Sequence, residues 1–312
     1  MKKQFVKSAI ATAVMGVALV AAGSAVAGIA NTKHNLGTSG TGPNHLSTTG
    51  GETGEICIFC HTPHGGDTNA AVPLWNKKLV DPANFKTYDQ LGTSTLDAAI
   101  TKIGSVSLAC LTCHDGTQAL DNILNAPGSG GYDSTGGTQN GLGWTWTTDG
   151  TLDANGRFQN SVDGGGTNIW AIGTDLTNDH PVSVQYAGGG YSSSFMTGGK
   201  FGGKTRDLDF NDALQIGSTT RWYVDNTFMG AVSGSGSVTG EFDKWDFKLY
   251  TRTGEGTPAN GATFAGEPEP FVECGSCHDP HLETTTFLRI NPADNGGASN
   301  NGSAVCLTCH AK

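Results

Sequence analysis

Apolar positions along the chain are scattered, and few stretches hold a helical or strand period for long. The most continuous is Ala9–Ala22, preceded by Lys2, Lys3 and Lys7 and followed by Ala25-Val26-Ala27. A positive start, an apolar middle and a small-residue end predict a cleaved signal peptide over residues 1–27. The apolar run is too short to cross a bilayer comfortably, and no cysteine sits near the cleavage site to take a lipid. Export of a soluble chain beginning near Gly28 is therefore expected. Helices should be few and short, near 97–103, over 207–216 and around the cysteine motifs below. Trp222-Tyr223-Val224, 232–238 and 245–250 are rich in β-formers and predict strands.

Composition sharpens this picture in the middle of the chain. Residues 128–265 hold 28 of the 47 glycines and five of the six tryptophans, and no cysteine. Such a stretch predicts a loop-rich, β-containing insertion whose aromatic residues argue against a disordered linker. The formal charge is −10 at pH 7, and loss of the three lysines in residues 1–27 makes the exported chain more acidic. Acidity argues against nucleic acid as a partner and steers the chain towards basic surfaces or cations.

Eight cysteines in an exported chain would ordinarily predict disulfides. Here each belongs to a Cys-x-x-Cys-His unit: Cys57, Cys60 and His61; Cys110, Cys113 and His114; Cys274, Cys277 and His278; Cys306, Cys309 and His310. Two thiols at this spacing can each add to a vinyl group of one haem, and the adjacent imidazole then sits under the iron as proximal ligand. Zinc sites and redox disulfides also use Cys-x-x-Cys, but neither requires histidine directly after the second cysteine. Four units predict four covalent haem c groups and an electron carrier rather than an enzyme. Each porphyrin is a large apolar plate that replaces protein core. The expected fold class is therefore a multihaem cytochrome with little regular secondary structure, short helices near the motifs and a glycine-rich β-containing insertion.

The sixth ligand separates a closed electron carrier from an open catalytic iron. Five further histidines are present, His34, His45, His64, His180 and His281, against two methionines beyond the signal peptide, Met196 and Met229. Histidine can cap every haem, whereas the methionines are expected to pack. Bis-His ligation implies lower reduction potentials than Met/His ligation. His64 in Cys-His-Thr-Pro-His and His281 in Cys-His-Asp-Pro-His each follow a proline. That proline breaks a continuing helix and turns the second imidazole towards a neighbouring haem. His180 precedes Pro181, which favours extended backbone, and a nearby carboxylate can orient its ring. One more ligand is needed, from His34 or His45 in the polar N-terminal arm. Asp153-Ala154-Asn155-Gly156 resembles part of a calcium loop, but Thr151 and Val162 stand where acids belong, so no calcium site is expected there.

Three segments are thus expected: 28–127 with the arm and two motifs, the insertion 128–265 contributing His180, and 266–312 with the last two motifs. Asn31–Leu36, Cys57–His64, Pro73–Asn76, Cys110–Thr117, Asn178–Val182, Cys274–His281 and Cys306–His310, in that order, resemble the motifs of exported tetrahaem cytochromes of the outer-membrane cytochrome E type. That family polymerises into extracellular cytochrome filaments, or nanowires. The insertion matches nothing beyond its His180 segment. The resemblance implies four bis-His haems with His34, His64, His180 and His281 as distal ligands, leaves His45 as a surface residue, and implies a continuous haem row passing between subunits.

His34 and His310 place haem ligands near both expected ends of the exported chain. An arm carrying His34 could cap a haem of the next subunit, a heterologous contact that yields an open polymer, or it could fold back on its own subunit. The expected function is electron conduction in an extracellular filament, from upstream cytochromes to distant acceptors. The alternatives are a monomeric periplasmic tetrahaem shuttle and, less favoured, a multihaem oxyanion reductase. A reductase needs an open iron, and no lysine replaces a proximal histidine.

Overall fold

The computed structural model describes residues 28–49, 52–93, 96, 98, 100, 102–128, 131–133, 141–161, 165–191, 207–217, 219–226, 241–253, 268–284, 286–290 and 303–311. The signal segment, the strand expected at 232–238, Met196 and Met229 lie outside them. Among the described residues, no helix is long and apolar enough to cross a membrane.

The chain is loop-rich. Among the described residues the α-helices, α1 (Ser105–His114), α2 (Cys274–Cys277) and α3 (Ala304–Cys309), all carry cysteine motifs. α1 buries Leu108, Ala109 and Leu111. It ends at Gly116, where φ is +75° and an added Cβ would lie 2.8 Å from the Phe158 carbonyl oxygen. Only glycine meets both demands without strain.

Strands β1 (His45–Leu46) and β2 (Trp146–Thr147) pair antiparallel and tie the N-terminal arm to the insertion. A five-stranded antiparallel sheet has the order β3-β7-β6-β5-β4, from β3 (Val184–Gln185), β4 (Leu214–Gln215), β5 (Trp222–Val224), β6 (Phe247–Thr253) and β7 (Pro268–Val272). β7 runs directly into the third motif, so the sheet holds that motif in place. Alternation in β6 turns Phe247 and Leu249 inward, where they join Tyr186, Trp222, Val224, Ile290 and Ala304 in one apolar cluster. A second cluster packs Val80, Phe85, Ile103, Leu176 and Val182 on Leu108 and Leu111 of α1.

Two helix expectations fail. The helix expected at 97–103 begins instead at Ser105; residues 97, 99 and 101 lie outside the described set, while Ile100 bridges Val184. Residues 207–216 form a turn, a bridge from Phe210 to His310 and the short strand β4. Backbone pairing with the fourth motif overrides the weak helical period there.

Candidate haem-binding site

The four motifs fold alike. In the first, third and fourth, the histidine N–H donates to the carbonyl of the first cysteine, at 2.7 Å (His61 to Cys57), 3.0 Å (His278 to Cys274) and 2.8 Å (His310 to Cys306). The second lies in the last turn of α1. One helical turn places the two cysteines three residues apart on one face with the histidine above them, the arrangement a haem requires.

A repeated backbone strap holds these motifs, and nothing in the sequence reading anticipated it. Thr62 donates to Leu74 and Asn76 to Cys60, both at 2.8 Å. At the third motif Asp279 donates to Phe287 (2.8 Å) and Arg289 to Cys277 (2.9 Å). The fourth repeats the pattern, with Ala311 donating to Asp209 (2.7 Å) and Asn211 to Cys309 (2.8 Å). In the first two straps the central residues, Leu74 and Phe287, have φ of 56° and 58°, a conformation bulky side chains rarely adopt. Each of these two straps also supplies a carbonyl to the proximal ring: Nδ1 of His61 lies 2.8 Å from Pro73 O, and Nδ1 of His278 lies 2.9 Å from Thr286 O. His114 Nδ1 lies 2.7 Å from Trp170 O. An Nδ1–H held by a carbonyl leaves Nε2 with its lone pair free for a metal.

Three further histidines face these rings. His281 stacks opposite His61 with centroids 6.2 Å apart and planes 14° apart. His34 lies 6.2 Å from His114, and His180 lies 5.8 Å from His278. An iron between two imidazole nitrogens at about 2 Å each separates the ring centroids by roughly 6 Å. The pairs therefore fit an iron gripped from both sides. Bound haem would supply a one-electron iron couple; the chain supplies the thiols, the imidazoles and their orientation.

His34 is positioned by Phe287, whose ring stacks on it at 4.2 Å and 9°. The left-handed backbone at Phe287 thus serves the His278 strap and a histidine facing another motif. Burial, together with the neighbouring His114 and His281, holds the His34 imidazole down to about 3, against a bond to the Pro280 backbone. Burial also lowers His114, His180 and His278. These rings stay neutral, the form that ligates metal. His281 goes the other way, raised by the Asp279 carboxylate 3.1 Å from its Nδ1.

Within the subunit the N-terminal arm folds back and the His34 ring meets His114, the second of the two placements open to the arm. His45 bonds the Gly42 carbonyl at 2.9 Å within β1 and faces none of the motif histidines. His64 is exposed, held only through its backbone carbonyl by Thr62 and Asn125, and no histidine ring stacks with it among the described residues. His310 stands beside Phe210 at 4.2 Å, and among the described residues no second imidazole faces it. Asp153 caps a tight turn, accepting from the amides of Asn155 and Arg157.

The third motif is seated by a buried carboxylate. Glu273 accepts from the hydroxyls of Ser107 (2.5 Å) and Ser183 (2.9 Å) and pairs with Arg252 at 3.3 Å. It also closes a capping box with Ser276 at the start of α2. Burial pushes its carboxyl up, and these partners oppose that. Ser107 belongs to α1 and Ser183 follows the His180 turn, so Glu273 joins three site-forming segments. Beside it the Cys274 N–H donates to Ser107 Oγ at 3.0 Å, which places the second and third motifs side by side. Glu273→Ala should cost about 1–3 kcal/mol by leaving buried hydroxyls without their acceptor; a lower denaturation midpoint of the haem-loaded chain checks it.

Residues 269–312 match the family model described as the doubled CXXCH motif. No curated protein matches the chain. The doubled motif, together with the chemistry of the donor set, marks a multihaem c-type cytochrome that binds haem c covalently and transfers electrons.

Proposed function

We propose that the chain carries four haem c groups, one per motif, and works as the repeating subunit of an extracellular electron-conducting filament. The axial pairs are His61 with His281, His114 with His34, and His278 with His180. His310 takes its second ligand from His64 of the next subunit. One observation carries this reading: three motif histidines each face a second imidazole at 5.8–6.2 Å, while among the described residues His310 faces none, and of the two remaining histidines His45 is tied by its ring to the Gly42 carbonyl and His64 is exposed. A donor and an acceptor site on one chain that do not meet make a head-to-tail contact, which propagates as an open polymer when it does not close into a ring. Electron microscopy of material sheared from cells, with haem staining, tests it. Long haem-positive filaments are expected. Haem-loaded monomers alone, where other surface appendages survive, would point to a periplasmic shuttle.

A further inference from the structure

Lys77 is fully buried, and its Nζ donates to the backbone carbonyls of Leu120 (2.7 Å), Asn122 (3.2 Å) and Ala119 (3.5 Å). An ammonium has three donors and no acceptor, so three carbonyls satisfy it as a cation. Among the described residues, no carboxylate lies within ion-pairing distance of it. Burying an unpaired ammonium is costly, and merely closing a loop does not require one.

Its position supplies a reason. Lys77 directly follows the strap whose Asn76 N–H binds the Cys60 carbonyl, and it reaches into the 119–122 loop that follows the second motif. The charge therefore joins the strap of the first motif to the loop that follows the second. Both attachment cysteines, Cys60 and Cys113, lie within the electrostatic reach of the lysine. Two acids share the neighbourhood. Asp115 acts against the lysine at Cys113. Asp121 lies within its electrostatic reach, but its carboxyl is pushed up by burial and its Oδ2 is occupied by the amides of Leu142 and Trp144. The cation near the third motif, Arg289, differs in having Asp279 at 3.5 Å.

We propose that Lys77 is a fixed buried charge that raises the reduction potentials of the haems on the first two motifs above the value their ligands alone would set. Ferric haem carries one more positive charge than ferrous, so a neighbouring cation in a low-dielectric interior disfavours the oxidised state. The inference rests on both N-terminal motifs carrying haem.

The test compares the full-length haem-loaded protein with Lys77→Met, counting haem per chain and then titrating reduction spectroscopically. With haem content unchanged, about half of the absorbance change should move to lower potential. The expected size is at least tenfold in the equilibrium, about 59 mV for a one-electron couple. The other half should stay in place, and Lys77→Arg should restore the original curve. Lys77→Gln, neutral but still able to donate to the carbonyls, gives the same readout if the methionine variant does not accumulate. An unmoved curve at full haem content, a uniform shift of all haems, or an arginine variant that behaves like the neutral ones overturns the proposal. Absence of haem from the first two motifs of the unaltered protein overturns instead the reading beneath it.

Discussion

His281→Ala is expected to convert one haem from a closed carrier into an open, carbon monoxide-binding iron while leaving the count of attached haems unchanged. The reason is local. His281 faces His61 at 6.2 Å with nearly parallel planes, and Asp279 occupies its Nδ1, leaving Nε2 for the metal. Alanine removes that ligand, and among the described residues no other imidazole faces His61 to replace it, the other ring beside it there being Trp75. The thioethers from Cys57 and Cys60 do not depend on the distal side, so attachment survives. Absorbance should show a five-coordinate fraction of one haem among those bound. A spectrum identical to that of the unaltered chain would sink the His61–His281 pairing.

His64→Ala is expected to abolish polymerisation with little effect on the folded subunit. The side chain is exposed, and its segment is held by the backbone carbonyl of residue 64, which alanine keeps. If His64 closes the iron at His310 across the subunit boundary, removing it eliminates a coordination bond from every interface in the polymer. Filaments should be absent by electron microscopy while monomers keep their full haem content. Filaments of normal length would show that assembly does not need this histidine.

These expectations depend unequally on what the chain discloses as a string of letters. The covalent motifs were legible because their chemistry is local: two thiols and an imidazole within five residues. His281 lies opposite His61 of a different motif and His180 opposite His278, while His64, in the same Pro-turned context, faces no histidine ring among the described residues. The choice between His34 and His45 could not be made from spacing; it is decided by Phe287, more than 200 residues away, which stacks on His34. The path of the arm was not legible for the same reason, since the contacts of His34 with Phe287 and Pro280 have no signature near the arm.

The straps were invisible for a related reason. What repeats in Pro73–Asn76, 286–289 and 208–211 is mainly backbone hydrogen bonding; only Trp75-Asn76 and Phe210-Asn211 share a side-chain pattern, each asparagine donating to the carbonyl of Ile58 or Leu307 in its motif. Residues 207–216 could pass for a helix because nothing local announces that Phe210 pairs with His310. The strand at Trp222–Val224 was recognisable, since three consecutive β-favouring residues bury their side chains in the sheet. Lys77 escaped notice entirely, as a lysine in sequence is presumed exposed.

The most direct measurement is a carbon monoxide titration of the fully reduced, monomeric chain against its total haem. The account predicts that one haem in four binds carbon monoxide, the one attached through Cys306 and Cys309 whose His310 lacks a partner within the subunit. Binding at two or more haems would contradict the three internal pairs, and binding at none would contradict the ligand supplied by a neighbour.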